Sequence, residues 1–314
     1  MRHPSSEFSF TRVIAILLIC FFIVAKGVSQ VASPPTLEKT LQQKYLEKAF
    51  TLRGFYGDYS LHFDNTGAPL GNLHPDSWTT AIVVIKKLQV SESKIQLEGV
   101  RLAEMYNVEQ SKFVPVLTKQ KIVIVVDRNA SETESEVTSS LGRIFLNQND
   151  HLIDLVPSYW RPFLSSAIEK VPQQTGTDCY RTKGSASRDG DGTISWSCEE
   201  NAKLKTPTPS TTDLNPSSLP YRAGKGVSAP HPIFTPDPDY SDLARTMKFG
   251  GVTILQTEIK TDGTTSNTII LRPLGFGLDE RAVAAIKIWK FSPAVFKNQP
   301  VPVLITVQVE FHKY

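Results

Sequence analysis

The chain has 314 residues, with 34 Lys and Arg against 31 Asp and Glu, a formal net charge of +3, and 40% apolar residues. That length is comfortable for two domains with a core each. The two signs of charge are interspersed, without the basic stripe of a nucleic-acid binder, and that class is excluded.

Arg12 precedes an uncharged apolar run from Val13 to Ala25, which Lys26 closes. At about 1.5 Å per residue the run falls short of the roughly 30 Å hydrocarbon layer, so residues 1–33 read as a signal peptide and export is expected. Small residues suited to cleavage follow at Gly27, Ser29, Ala32 and Ser33, without an Ala-x-Ala, so retention of residues 13–25 as a signal anchor stays open. Cys20 is an apolar member of the run.

Leu37, Leu41, Tyr45, Leu46 and Phe50 have helical spacing, which predicts a first helix between Pro34 and Thr51. The period then changes to short β-branched runs at 61–63, 81–85, 95–102 and 122–126, separated by turn formers, and an antiparallel sheet is expected. Ser131 with Glu134 three residues on fits a capping box, with Val137, Leu141, Ile144 and Phe145 as the buried face of the helix that follows. A second helical stretch is expected over Leu152 to Ile168, its regularity limited by Pro157 and Pro162. Residues 34–204 therefore read as one α+β domain. Two cysteines remain beyond the signal, Cys179 and Cys198; in an oxidising compartment one disulfide between them is expected ahead of two free thiols. The turn formers from Gly184 to Thr193, with Ile194 and Trp196 alternating after them, suit a hairpin stapled at its base.

From 205 to 235 the composition shifts to prolines interleaved with serine and threonine, including Pro207, Pro209, Pro216 and Pro220. Such a segment buries little apolar surface, and proline holds it extended at up to about 3.1 Å per residue, so it reads as a spacer. Beyond it, Tyr240, Leu243, Ala244 and Met247 predict a short helix ended by Gly250 and Gly251. Alternation from Thr253 to Ile259, the turn at Asp262-Gly263 and a return over Thr268 to Leu271 predict a hairpin. A helix then starts near Leu278, with Asp279 and Glu280 in its first turn and Lys287 and Lys290 toward its end, as the helix dipole favours. Val301, Val303, Ile305, Val307, Val309 and Phe311 alternate with polar neighbours as one terminal strand. The order is α-β-β-α-β.

Several features of this tail together resemble the C-terminal domain of the TonB family, over roughly residues 227–314. They are Asp239-Tyr240 with Ala244-Arg245, the Asp262-Gly263 turn, Leu278-Asp279 with its Ala-rich helix, Trp289-Lys290-Phe291-Ser292-Pro293-Ala294, Asn298-Gln299-Pro300-Val301, and the closing Val307, Val309 and Phe311. Ser241 stands where many relatives have proline, and a long membrane anchor is not matched. The resemblance implies a non-enzymatic periplasmic protein that binds an extended segment of an outer-membrane receptor or transporter by adding it as a strand to the edge of residues 301–311. It also implies an inner-membrane motor complex as a further partner, and a homodimer sharing that edge remains an alternative. Two other readings stay open: an adaptor whose C-terminal module self-associates, and an exported enzyme with its site in the first domain. No cofactor or metal is expected. His62, His74, His151, His231 and His312 are scattered, and Ile194 stands where a calcium loop built on Asp189 and Asp191 requires glycine.

Overall fold

The computed structural model describes residues 36–168, 186–188, 194–196 and 220–312. Residues 1–35, Cys179, Cys198 and residues 205–219, which include the expected signal segment and the first half of the expected spacer, lie outside the described residues. Helix α1 (Leu37–Tyr45) starts at Thr36, whose hydroxyl accepts the amide of Lys39, and buries Leu41 and Tyr45. The helix stops earlier than its apolar spacing implies, because Glu47 turns the chain with φ 57° and Ala49–Thr51 becomes strand β1. Phe50 still meets Tyr45, ring centroids 4.9 Å apart, across that turn.

The first sheet follows as β2 (Ser60–Phe63), β3 (Pro69–Leu70), β4 (Ile82–Val90), β5 (Lys94–Asn107) and β6 (Lys112–Asp127). Its order is β1-β4-β5-β6-β2-β3. β5 and β6 are much longer than the apolar runs that announced them, since polar residues alternate along their solvent face and lengthen the ladder without adding to the hydrophobic signal. One pairing departs from the expected antiparallel pattern: β2 runs parallel to β6, Leu61 opposite Ile124.

Helix α2 (Glu134–Ile144) does carry a capping box, but on Thr133 and Glu136 rather than Ser131 and Glu134. The two pairs have the same spacing, and only the later start puts Val137, Leu141 and Ile144 in the core. Leu152 to Ile168 forms two helices, α3 (Leu152–Leu155) and α4 (Arg161–Ile168), broken around Pro157. Strands β7 (Ala186–Arg188) and β8 (Ile194–Trp196) pair as the expected hairpin, and β8 joins β6 at Val116.

Residues 220–235, which composition assigns to the spacer, pair with the C-terminal part. β9 (Tyr221–Arg222) lies parallel to the terminal strand, β10 (His231–Phe234) pairs with Lys290–Ser292, and Val227 is buried beside Ile259, Phe291, Ala294 and Val303. Prolines are compatible with such short edge strands because a missing amide costs nothing on an unpaired side.

Helix α5 (Asp242–Thr246), β11 (Gly251–Ile259), β12 (Thr265–Arg272), α6 (Leu278–Ile288), β13 (Lys290–Ser292), β14 (Ala294–Phe296), β15 (Gln299–Val301) and β16 (Val303–Phe311) complete the chain. The expected order stands, with three short strands inserted before the last. At the β11–β12 turn Asp262 accepts the amide and hydroxyl of Thr264 at 2.9 and 2.6 Å. Gly263 has φ 78°, and a Cβ there would sit 1.9 Å from the Phe291 carbonyl oxygen, so the position admits only glycine. The described chain from Thr36 onward is one compact unit, and a single core runs from Leu41, Phe63 and Trp160 to Leu255, Phe276 and Ile286.

Candidate functional site: a half-open sheet edge

β16 is the strand on which the site stands. Along one side it pairs with β11 over its whole length, Val303 opposite Ile259 through Phe311 opposite Gly251. Along the other side it meets only β9, at Val303 and Leu304, with the Tyr221 amide donating to the Pro302 carbonyl at 2.8 Å. From Ile305 to Phe311 no described strand pairs with that side.

The direction of the free groups follows from the ladder. Because the N–H and C=O of one residue share a side and alternate along a strand, the Pro302 bond to β9 places the main-chain groups of Leu304, Thr306, Gln308 and Glu310 on the β9 side, where β9 covers Leu304 and leaves those of Thr306, Gln308 and Glu310 on the open edge. Those of Val303, Ile305, Val307, Val309 and Phe311 turn toward β11. The apolar residues singled out in the sequence therefore anchor the strand, Val303, Val309 and Phe311 being buried, while the intervening polar residues present the edge. Val301 lies in β15, opposite Ala294, so the edge strand starts at Val303.

Facing this edge is a groove of ≈ 580 Å³. Its far wall is the segment Pro236 to Tyr240, held by three contacts: Trp289 donates its indole N–H to the Pro236 carbonyl at 2.9 Å, the Tyr240 ring stands edge-on to Phe311 at 5.4 Å, and the Tyr240 hydroxyl donates to the His312 carbonyl. Asp237 and Glu310 give the groove an acidic character, with Ile305 and Val307 as apolar lining.

A seam joins this C-terminal part to the first sheet. The loop Leu274–Gly277 lies against it: the amides of Phe276 and Gly277 donate to the Glu104 carbonyl at 3.0 Å and the Thr79 hydroxyl at 2.9 Å, and the Tyr106 amide donates to the Leu274 carbonyl at 3.1 Å. Gly275 has φ 93°, and a Cβ would come within 2.0 Å of the Glu104 carbonyl oxygen. Asp279 is buried and accepts the amides of Leu274 and Gly275 and the hydroxyl of Thr253. Burial raises its pKa to about 6, against the hydrogen bonds that hold it down. Glu280 accepts the Trp160 indole N–H at 2.8 Å; burial, and then the charge of Asp279, push it up to about 8. Sequence reasoning placed both acids on the helix dipole and missed that the seam buries Asp279 and half-buries Glu280. Ser241 caps α5 and donates to the Phe276 carbonyl at 2.5 Å, a contact that proline at this position lacks.

Trp78 and Trp160 pack edge to face at 5.4 Å within the core. Among the described residues no three His, Cys, Asp or Glu side chains gather as a metal site, and no helix is long and apolar enough to cross a membrane.

Fold and edge together define a small α+β domain that leaves most of its last strand unpaired on one side. Residues 236–312 match the profile of the family described as Gram-negative bacterial TonB protein C-terminal, and the chain carries a TonB C-terminal domain there. Domains of that family are envelope-associated, generally non-enzymatic, and interact with outer-membrane transporters in general. Matches among solved structures include the solution NMR structure of the Pseudomonas aeruginosa TonB CTD, at 15% identity and a TM-score of 0.21, covering 29% of this chain and 92% of that one. No curated protein matches the chain.

Proposed function

We propose that the chain is a non-enzymatic periplasmic protein whose TonB C-terminal domain takes up an extended segment of an outer-membrane transporter as an added strand beside β16. The observation that carries this reading is the bare edge from Ile305 to Phe311, facing a groove ready-walled by Pro236 to Tyr240. Main-chain hydrogen bonds to Thr306, Gln308 and Glu310 supply affinity, and alternate side chains of the incoming strand, seated against Ile305 and Val307, supply register. An unpaired edge otherwise invites aggregation, which a transient occupant prevents.

The same reading takes residues 1–33 as the export signal and Cys179–Cys198 as a disulfide. It keeps an inner-membrane motor as a partner if residues 13–25 are retained; mass analysis of the mature N-terminus decides retention.

The test is titration of the full-length protein with a peptide copied from the N-terminal plug segment of an outer-membrane transporter, read by amide hydrogen exchange. Protection of Thr306, Gln308 and Glu310 is expected. Gln308→Pro removes a donor from the open edge without touching the β11 ladder, and it abolishes the protection while leaving the melting curve in place. Unchanged exchange along β16 at saturating peptide, or protection without peptide that rises with protein concentration, rejects the reading; the second result assigns the edge to a homodimer.

A further inference from the structure

A second cavity, of ≈ 260 Å³, opens where the first sheet meets α5 and α6, and it shares no lining residue with the β16 groove. Arg101 forms its base. This side chain is buried, and its Nη atoms donate to the carbonyls of Tyr56, Asp58 and Thr80 at 2.7 to 2.9 Å, while its Nε is buried without a partner. Around it each carboxylate has a partner: Asp58 the His74 ring at 2.9 Å, Asp76 the Arg281 guanidinium at 3.2 Å, and Asp242 that of Arg245 at 3.4 Å, so with Arg101 three guanidiniums stand against three carboxylates. The Nε of Arg281 is also buried without a partner.

Charge balance of this kind selects against strongly charged ligands, since an incoming ion would have to break an existing pair. What the cavity keeps in surplus is neutral hydrogen-bonding capacity. Tyr59, 58% exposed, and Gln120 line it, and neither the phenol of the one nor the side-chain amide of the other makes a hydrogen bond among the described residues. An exposed aromatic face beside planar amide, carboxylate and guanidinium groups matches one chemistry: a ring with an apolar C–H face and a rim of hydroxyls. The geometry points to a binding site for a neutral saccharide in this cavity, with Tyr59 stacking on the sugar ring and Gln120, Asp76 and Arg281 bonding its hydroxyls.

The site is independent of strand addition at β16, and its test is independent too. The full-length protein is titrated calorimetrically with maltose and with N,N′-diacetylchitobiose, and with inorganic phosphate and L-arginine as charged probes. Saturable binding of at least one disaccharide is expected, weakened roughly tenfold in Tyr59→Ala and in Gln120→Ala with melting curves unchanged, as for residues central to an interface. Co-sedimentation with purified peptidoglycan sacculi that the disaccharide competes away assigns the sugar to the wall polymer; binding without co-sedimentation assigns it to a diffusible saccharide. The inference is overturned if neither disaccharide binds at about 10 mM, if both variants bind as the parent does, or if phosphate or arginine binds in their place.

Discussion

Trp160 donates its indole N–H to Glu280 Oε1 over 2.8 Å, and this bond fastens α4 of the N-terminal part to the first turn of α6 in the TonB domain. The two residues are 120 positions apart in the chain. The domain that carries the open β16 edge is thereby backed by aromatic residues of a different segment. Trp160 is itself held edge-on by Trp78 and Phe163, so the donor is fixed by packing before it meets the acid.

Trp160→Phe retains the ring and removes the donor. The expected loss is about 1–3 kcal/mol, because Glu280 is left without its indole partner. Urea unfolding followed by far-UV circular dichroism checks it, and a loss below a few tenths of a kcal/mol contradicts the role assigned to the bond.

Glu280 and Asp279 make stability depend on pH with a definite sign. Both pKa values are raised in the fold, Glu280 from 4.5 to about 8 and Asp279 from 3.8 to about 6. The folded chain therefore binds more protons than the unfolded chain between the ordinary carboxylate range and those values, and stability falls as pH rises through that window. The melting temperature is expected to be lower at pH 8.5 than at pH 5.5. Glu280→Gln flattens the part of the slope above pH 6; a slope of the opposite sign, or one unchanged in the variant, rules the assignment out.

Gly275→Ala puts a Cβ against the Glu104 carbonyl oxygen at a backbone angle of φ 93°. Both the clash and the left-handed conformation oppose it, and a destabilisation of about 2 kcal/mol or more is expected. Amide exchange of Tyr106 and Phe276, which donate across the seam, is expected to speed up ahead of exchange within β16. Equal acceleration in both places would show that the seam and the edge unfold together.

Thr133→Ala removes the hydroxyl that accepts the Glu136 amide at the start of α2. A cost of about 1 kcal/mol is expected. Ser131→Ala serves as the control, since Ser131 has the same sequence spacing to Glu134 but lies before the helix; an equal loss in the two variants places the cap wrongly.

Cys179 and Cys198 are expected to be joined. Peptide mapping of the native protein without reductant should give one cross-linked pair containing both residues, and alkylation of both thiols would show them free.

Sequence alone determined the α+β class, the α-β-β-α-β order of the tail, the turn at Asp262-Gly263 and the alternation of β16. Each of these is local: periodicity, a turn dipeptide or a capping residue is set by neighbours a few positions away. The TonB C-terminal domain was legible for the same reason, since its marks follow one another within residues 236–312. Tertiary structure alone decided which of two equally spaced capping boxes starts α2, that β2 lies parallel to β6, and that residues 220–235 pair instead of hanging free. It also decided which face of β16 is open. Alternation says that odd and even residues differ, but only the placement of β11 along one side and of β9 at one end says that Thr306, Gln308 and Glu310 are the residues with main-chain groups to offer. Buried Asp279 and half-buried Glu280 belong with these, because burial depends on segments that arrive from elsewhere in the chain, and no local pattern records their arrival.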